Sequence, residues 1–392
     1  MGMPSGSCRA SGMRQPRSWP GSLCTATGGW SSSGCSSVRS AERRSTNSWP
    51  RRRPISQHPL NPLASLHGLD MVRAHPLVAS AGAINMDVNL FLERLPRAGE
   101  ELPIKKITRV PGGKAANVAV AVARLLGPSR SALLGALGRD PIGEMQLKAL
   151  REEGVDTGGI WMDGDSESGQ AYILIDSAGQ NIISTFFGAN ASLRPEMLEG
   201  RDVRRVLKDV RFLVVMDVPL DFARALFETG RDRGMSILWA PGVRTLQGRG
   251  MLMELLDRVD FLVLNEAEVL GLTGHDTAHE AYRSLVEWNE GLHLIATMGS
   301  RGALLLGPGL EERAAGVDLA SVGMAPVNTV GCGDAFIGCF AAQVVMGRSL
   351  AEALFLANCA GAFKATKPET RGSPTQEELD GFVDLLRMPR KG

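Results

Sequence analysis

Residues 328–340 read NTVGCGDAFIGCF, a glycine-rich turn that leads directly into an apolar run. Gly331 and Gly333 flank Cys332, and Asp334 follows them, so the apolar residues beyond predict a buried helix that begins near Gly333. Such a turn presents free backbone N–H groups and the positive end of the helix dipole, which together suit phosphate. Asp334 would stand beside that anion site as a base. The stretch therefore predicts phosphoryl transfer to an alcohol.

Apolar strands alternate with helices along most of the chain. The predicted strands cover residues 77–84, 212–216, 236–240, 261–264, 294–297 and 303–306. This alternation predicts an α/β fold, a doubly wound and mostly parallel sheet flanked by helices. Polar residues follow several strand ends, where α/β proteins place ligand contacts: Asn85, Asp87, Asp217, the segment 265–268 and the segment 297–302.

Two other segments predict a small second sheet. Residues 88–110 alternate in part and contain Pro96 and Pro103, which favours short edge strands. Residues 169–187 predict a hairpin with its turn at 177–181. Together they could form a β-sheet lid over the ligand.

Gly112 and Gly113 open a long alanine- and valine-rich helix that runs to Leu126. Glycines at this point let the backbone approach a ligand, and Asn117 lies one turn inside the helix. For this motif taken alone, a tight turn with a helix cap is the structural alternative.

The N-terminal residues 1–70 differ in composition from the rest of the chain. They hold nine Arg, no Lys and two acidic residues, a net charge of +7, whereas the remainder carries 34 basic and 40 acidic residues. We expect disorder there, because the segment lacks apolar periodicity. Upstream sequence read through before a start near Met71 explains this composition better than an organelle transit peptide, so a cytoplasmic location is expected.

The body, residues 76–387, is mildly acidic, which argues against nucleic acid as a partner. No apolar run reaches the roughly 18 residues that a membrane helix needs. Cys332, Cys339 and Cys359 lack metal-ligand spacing, so reduced thiols are expected.

The phosphate-binding motifs of several kinase and dehydrogenase families are missing from the sequence. It has no G-x-x-x-x-G-K-[ST], no protein-kinase signature, and no G-x-G-x-x-G after the first strand. Instead, five motifs occur in one order: GAINMD, GGKAAN, NEAE, TMGSRG and NTVGCGD. In this combination the chain, over residues 76 to about 387, resembles the ribokinase (PfkB) family of sugar and nucleoside kinases. GAINMD, PRAGE and GGKAAN look most like the ribokinases within that family.

The resemblance implies an ATP- and Mg²⁺-dependent sugar kinase. Asp334 would be the general base, with an anion hole at Gly331, Cys332 and Gly333. Sugar hydroxyls would be bound by Asn85, Asp87, Gly113, Lys114, Asn117 and Asp217, the last being an Asp where ribokinases carry Glu. Nucleotide contacts would come from Asn265, Thr297, Gly299, Gly302 and Asn358, and Glu268 would hold Mg²⁺ through water.

The chain departs from the family pattern around the anion hole. Asn328 stands where an Asp usually helps to hold a monovalent cation, and the later loop 367–373, which ends at Ser373, is also off pattern. We therefore expect weak or absent K⁺ dependence. Cys332 replaces a smaller residue; a small buried side chain and a reactive thiol at a helix N-terminus are the two interpretations.

D-ribose, phosphorylated at O5, is the first substrate expected. A nucleoside or a sugar phosphate is the alternative within the family, although only Phe91 and Tyr172 could stack a base and Lys114 is the main candidate for a second phosphate. A catalytically silent sugar-binding protein is the alternative from another class. The resemblance also implies a homodimer formed through the lid strands.

Overall fold

A computed structural model describes residues 75–242 and 249–388 of the chain. The expectations for residues 1–70 lie outside the described residues. The strands, in chain order, are β1 Val78–Gly82, β2 Asn85–Phe91, β3 Lys106–Gly112, β4 Ser131–Gly138, β5 Asp156–Asp163, β6 Gly169–Ile175, β7 Asn181–Phe186, β8 Phe212–Met216, β9 Ser236–Ala240, β10 Phe261–Asn265, β11 His293–Thr297, β12 Gly302–Gly307 and β13 Leu310–Ala315. The helices are α1 Lys114–Leu126, α2 Pro141–Glu152, α3 Arg201–Val206, α4 Leu220–Asp232, α5 Arg249–Leu256, α6 Glu266–Thr273, α7 Ala278–Leu285, α8 Cys332–Val345, α9 Leu350–Ala365 and α10 Gln376–Arg387.

Nine strands in the described part of the chain form one large sheet in the order β13-β12-β11-β10-β9-β8-β1-β4-β5. All pairings from β11 to β5 are parallel, and β12 and β13 add an antiparallel edge. The predicted mostly parallel sheet is confirmed. Its strands read as continuous apolar runs because both faces are covered.

Helices cover the two faces of the large sheet, and alternate residues of one strand show it. In β8, Phe212 and Val214 pack into the cluster that contains residues of α1, α8, α9 and α10. Leu213 and Val215 point to the opposite cluster, which contains residues of α4, α5, α6 and α7. The flanking helices predicted from the sequence are thus present on both sides.

Within residues 75–242, a smaller sheet has the strand order β3-β2-β6-β7. β2 pairs antiparallel with β3 and parallel with β6, and β6 and β7 form the predicted hairpin. Asn85 and Asp87 lie in β2 itself, whereas the sequence placed them at the end of the first strand. β1 ends at Gly82, and the chain enters the second sheet after only Ala83 and Ile84.

The order of the parallel strands reverses at β1. From β1 the chain continues to β4 and β5 on one side, and later to β8, β9, β10 and β11 on the other. Ligands of open α/β sheets bind outside the carboxyl ends of the strands at such a switch point. The fold therefore directs attention to the residues that follow β1 and β8.

Candidate active site

In the turn before α8, the backbone at Gly331 lies close to the loop that contains Thr370. Gly331 is the N-cap residue and has a φ of 88°, and a Cβ there would lie 2.4 Å from the carbonyl oxygen of Thr370. A side chain at this position would meet both a strained backbone and the neighbouring loop. A Cβ at Gly333, in contrast, would meet nothing within 4 Å. The backbone of the first turn of α8 is thus open to a ligand at Gly333.

Cys332 is held by the loop that precedes it. Its N–H donates to the carbonyl oxygen of Thr329 over 3.2 Å, so in this structure that N–H is bonded within the turn. Burial raises the pKa of its thiol; Lys364 lowers this pKa and Asp334 raises it. The environment therefore favours the interpretation of Cys332 as a small side chain over that of an activated thiol.

Asp334, the residue proposed as the base, contacts Asn117 from α1. The Asn117 Nδ2 donates to Oδ2 of Asp334 over 2.7 Å. Nε of Arg371 in turn donates to Oδ1 of Asn117 over 3.2 Å. Because a guanidinium only donates, this contact fixes which end of the Asn117 amide faces the carboxylate.

The charge on Asp334 depends on several neighbours. Burial raises the pKa of its carboxyl, and Asp217 acts in the same direction. The bond from Asn117 and the positive charges of Lys114 and Lys364 lower it. A carboxyl with a raised pKa is a stronger base than an ordinary Asp, and the opposing groups keep it available in its ionised form.

Lys114 and Asp217 form an ion pair within electrostatic reach of Asp334. The Lys114 Nζ lies 3.0 Å from Oδ2 of Asp217, and the charges of Asp217, Asp334 and Glu268 raise the pKa of Lys114 against the effect of burial. Asp217 has a φ of 55° and a buried Oδ1 with no hydrogen-bond partner in the described part of the chain. A buried acceptor without a partner indicates a ligand that donates.

Gly242 gives this pair its space, whereas Gly113 makes room for the backbone that follows β1. A Cβ at Gly113, whose φ is 93°, would lie 2.5 Å from the carbonyl oxygen of Ala83. A Cβ at Gly242 would lie 2.5 Å from the Nζ of Lys114. Gly113 was expected from the sequence; Gly242 was not, because a single glycine after a strand is an ordinary turn signal.

Asn85 is fixed by two residues from distant parts of the chain. Its Oδ1 accepts from Nδ2 of Asn190 over 2.8 Å, and its carbonyl oxygen accepts from Nε2 of Gln146 over 2.6 Å. Asn190 also bonds to both backbone groups of Ile84. The amide oxygen of Asn85 is thereby engaged, so a ligand would meet its N–H groups.

Asp87 lies within electrostatic reach of the Asp334 carboxylate and of the Arg371 guanidinium. It is buried, and burial raises the pKa of its carboxyl to about 7; the charge of Asp334 also raises this pKa, and Arg371 lowers it. A Cβ at Gly112 would lie 2.2 Å from this carboxyl, so the glycine makes room for it. The structure thus brings Asn85, Asp87, Gly113, Lys114, Asn117, Asp217 and Asp334 to one cleft at the strand switch point.

The predicted nucleotide contacts lie at the carboxyl ends of β10 and β11. Asn265 and Thr297 are partners in the parallel register of these two strands. Asn265 and Glu268 cap α6 reciprocally: Oδ1 of Asn265 accepts from the Glu268 N–H, and Oε2 of Glu268 accepts from the Asn265 N–H, each over 2.9 Å. A capping box accounts for both residue types.

The remaining predicted nucleotide residues also have structural roles. Gly302, with a φ of 95°, would place a Cβ 2.0 Å from the carbonyl oxygen of Ala314, and Gly299 has a φ of 59°. Nδ2 of Asn358 donates to the carbonyl oxygen of Ala315 over 2.8 Å. These residues surround one end of the β12–β13 hairpin, which lies at the opposite edge of the large sheet from β4 and β5.

Asn328 and Ser373, the candidate ligands of a monovalent cation, are already bonded to protein groups. The Asn328 amide donates to Pro368 O and accepts from Val330 N, over 2.8 and 2.9 Å. Ser373 is buried, and its carbonyl oxygen accepts from Arg124 over 2.8 Å. With both ends of its amide engaged, the Asn328 side chain does not fit a bare cation.

Glu268 does fit the Mg²⁺ that accompanies a nucleotide. Its charge raises the pKa of Lys114, and one of its carboxylate oxygens is engaged in the helix cap. Mg²⁺ usually keeps several waters and is held by one or two carboxylates and by phosphates. In residues 75–242 and 249–388, no group of three or more His, Cys, Asp and Glu is arranged to hold a metal by itself.

Three residues near the site, Arg371, Lys364 and Asn190, were not predicted from the sequence. Arg371 is buried and also donates to Gly112 O and to Gln146 Oε1, over 2.9 and 2.8 Å. It lies in the off-pattern loop 367–373, which was the one signal that could have pointed to it. Lys364 looks in the sequence like an ordinary basic residue in the last turn of a helix.

The described helices are all too short or too polar to cross a membrane. The sequence model of the pfkB family carbohydrate kinases matches residues 75–377 of the chain. The deoxyribokinase of Salmonella typhi is 31% identical over 321 residues, 79% of this chain and 99% of that protein. The ATP-dependent ribose-1-phosphate kinase of Halopiger xanaduensis is 29% identical over 306 residues, 78% and 97% of the two chains.

Among solved structures, the ribokinase of Arabidopsis thaliana complexed with ribose and ATP superimposes with a TM-score of 0.70 at 26% identity. The match covers 80% of this chain and all of that one. The expected resemblance, fold class and type of enzyme are confirmed: the protein is a ribokinase-like phosphotransferase with an alcohol group as acceptor. The chain belongs to the pfkB family of carbohydrate kinases.

Proposed function

We propose that the protein transfers the γ-phosphate of ATP to a primary hydroxyl of a small sugar, and that D-ribose, converted to ribose 5-phosphate, is its substrate. One observation carries this proposal. The carboxylate of Asp334, oriented by Asn117, lies beside the open Gly331–Gly333 turn and within electrostatic reach of Lys114. A base, an anion site and polyol-binding groups thus share one cleft.

In the proposed reaction, Asp334 accepts the proton of the sugar hydroxyl, and the oxygen of that hydroxyl forms a bond to the γ-phosphorus of ATP. The bond from that phosphorus to the oxygen of ADP breaks, and ADP leaves. N–H groups of the turn stabilise the charge on the transferring phosphoryl group. A positioned base typically contributes ~10²–10⁴-fold in rate, and removing one donor from an anion hole costs ~10²–10³-fold.

Sugar recognition would use both donors and acceptors. Lys114 and the amide of Asn85 donate, whereas the carboxylates of Asp87 and Asp217 accept. The buried Oδ1 of Asp217, which lacks a partner among the described residues, is the acceptor best suited to a sugar hydroxyl. Buried polar groups left unpaired by the wrong sugar discriminate more strongly than apolar contacts do.

ATP would bind along the ends of β10 and β11, near Asn265, Thr297, Gly299, Gly302 and Asn358. Mg²⁺, when bound, neutralises charge on the phosphates, and Glu268 would hold it through water. The charge of Glu268 raises the pKa of Lys114, so the nucleotide and sugar halves of the cleft would lie within electrostatic reach of each other.

The small sheet would act as a lid and as a dimer interface of this kinase domain, residues 76–387. Every residue of β7 is exposed, and Ile182, Ile183 and Phe186 are about half exposed. Exposed apolar side chains on an edge strand favour pairing with a second copy. Cys332, Cys339 and Cys359 are free thiols, which supports a protein of a reducing compartment such as the cytoplasm.

A screen of ADP release tests the proposal. It would compare D-ribose, 2-deoxy-D-ribose, hexoses, ribose 1-phosphate and nucleosides, with Mg²⁺ and with K⁺ or Na⁺. The deoxyribokinase and ribose-1-phosphate kinase relatives favour two of these alternatives. We expect the highest kcat/KM for ribose. A higher value for another acceptor would replace the substrate, and turnover of none would favour a silent sugar-binding protein.

A further inference from the structure

Lys364 is one of the largest fully buried side chains in the described part of the protein, with 0% of its surface exposed. It lies in the last turn of α9, a helix whose other buried residues include Ala357, Cys359 and Phe363. Burying an ammonium group is costly unless it is paired or hydrogen-bonded. The contacts of the Lys364 ammonium group must therefore offset the cost of its burial.

The ammonium group of Lys364 reaches the loop that leads into the anion-binding turn. Its Nζ donates to the carbonyl oxygen of Asn328 over 2.8 Å. Burial lowers its pKa, whereas Cys332, Asp334 and Glu369 raise it. Lys364 in turn lowers the pKa of both Cys332 and Asp334. A positive charge thus sits directly behind the turn in which the base and the anion site lie.

The same loop does not accommodate a bare monovalent cation. Both ends of the Asn328 side-chain amide bond to backbone groups, and its carbonyl oxygen accepts from Lys364. Asn328 also carries no negative charge that would attract a second cation. The ammonium group therefore occupies the contact at Asn328 that a metal ion would need.

We propose that Lys364 supplies this kinase with a built-in cation. Its ammonium group holds the loop at Asn328 and adds positive charge behind the Gly331–Gly333 turn, so that transfer needs no monovalent metal ion. Lys364 is a positioning residue, since it acts through the loop and does not touch the substrate. The inference rests on the proposed function for its kinetic part only, because the cation contact can be tested in the protein alone.

Two variants separate charge from packing. Lys364→Met keeps an apolar stem of similar length and removes the charge. Lys364→Ala removes the side chain and leaves a cavity beside the Asn328 carbonyl oxygen that K⁺ or NH₄⁺ can enter and choline cannot. Lys148→Ala is the matched control, because Lys148 is an exposed lysine on α2 that pairs loosely with Glu152, over 3.9 Å.

The kinetic experiment measures kcat and KM for each protein in choline, Na⁺, K⁺ and NH₄⁺ chlorides. We expect wild type and Lys148→Ala to respond less than twofold to K⁺. Both Lys364 variants should lose at least about tenfold in kcat in choline, by comparison with the loss of one anion-hole donor. K⁺ or NH₄⁺ should restore most of that loss in Lys364→Ala and little of it in Lys364→Met.

A binding experiment needs no turnover. Thermal unfolding of Lys364→Ala should shift upward with added K⁺ or NH₄⁺ and not with choline, whereas wild type should show no cation-specific shift. A wild type that turns over no acceptor would sink the proposed function but leave this shift in place. Wild-type kcat in Lys364→Met, or a folded Lys364→Ala with neither rescue nor a thermal shift, would overturn the built-in cation.

Discussion

The amide nitrogen of Asn117 lies 2.7 Å from a carboxylate oxygen of Asp334, although the two residues are 217 positions apart in the sequence. The contact joins the first turn of α1 to the first turn of α8, the two helices whose N-termini face the cleft. The expected sugar-binding amide and the expected base thus belong to one hydrogen-bonded group. Replacing either residue should therefore change the hydrogen bonding of the other.

Asp334→Asn removes the base and keeps the shape of the side chain. Because the hydroxyl then has no group to take its proton, kcat should fall by ~10²–10⁴-fold. Sugar affinity should change only a few-fold, since the remaining polar groups of the cleft stay in place. Steady-state kinetics together with calorimetric sugar titration check this expectation. Unchanged ADP release by a folded variant would contradict the role of Asp334 as base.

Much of this architecture follows from the sequence because parallel strands buried on both faces need unbroken apolar runs. FLVVM in β8 and FLVLN in β10 carry that signal. The edge strand β13 reads LEERAA, and its charged residues hid it from the same criterion. Glycine turns such as the one at Gly331 could be predicted because the backbone there admits no side chain.

The supporting residues of the site could not be predicted in this way. Arg371 reaches Asn117 across 254 positions, and Asn190 reaches Asn85 across 105. No local period or turn chemistry encodes such contacts, because they depend on how separate elements pack. The sequence thus allowed candidate ligand-binding groups to be predicted, while the groups that orient them required the three-dimensional structure.

Arg371→Met should act on catalysis through the Asn117 amide. Without the guanidinium, that amide loses the bond that fixes its oxygen away from Asp334. The carboxyl of Asp334 then loses part of its stabilisation, its pKa rises, and the acidic limb of the pH profile of kcat should move to higher pH. We expect kcat at neutral pH to fall by ~10- to 100-fold, the loss of one charge-assisted hydrogen bond.

Arg371→Lys is the informative companion to this variant. It keeps the charge but cannot donate to Asn117, Gly112 and Gln146 together. If orientation matters, Arg371→Lys should show the same shift of the acidic limb. A wild-type pH profile in both variants would show that Arg371 only holds the loop 367–373 in place.

Asp87 should make stability depend on pH. Its pKa is about 7 in the folded protein and near 3.8 when unfolded, so the native state binds more protons between these values. The contribution of this carboxyl to stability is therefore present below about pH 4 and is lost as pH rises through 7. Between pH 4 and pH 8, the free energy of unfolding of Asp87→Asn should rise relative to that of wild type by on the order of a few kcal/mol.

Urea unfolding at a series of pH values measures that difference. Asp232→Asn is the control, because Asp232 is exposed on α4. This control gives the effect of the same Asp-to-Asn change at an exposed position. A pH-independent difference between Asp87→Asn and wild type would contradict the raised pKa.

Glu268 combines a structural bond with the proposed Mg²⁺ contact, and a conservative variant separates them. Glu268→Gln keeps an oxygen that can accept from the Asn265 N–H, so the cap of α6 and the melting temperature should change little. The loss of charge should raise the concentration of Mg²⁺ needed for half-maximal rate by about tenfold, as for one charge-assisted contact. Glu268→Ala should lose both the cap and the Mg²⁺ contact.

Glu352 offers the matched control, since it forms the same capping box with Ser349 at the start of α9. Glu352→Gln should resemble Glu268→Gln in melting temperature and wild type in its Mg²⁺ requirement. Titrating Mg²⁺ at fixed ATP for the three variants and wild type gives the comparison. An unchanged Mg²⁺ requirement in Glu268→Gln would reduce Glu268 to a helix cap, and the metal would then be held by the phosphates and water alone.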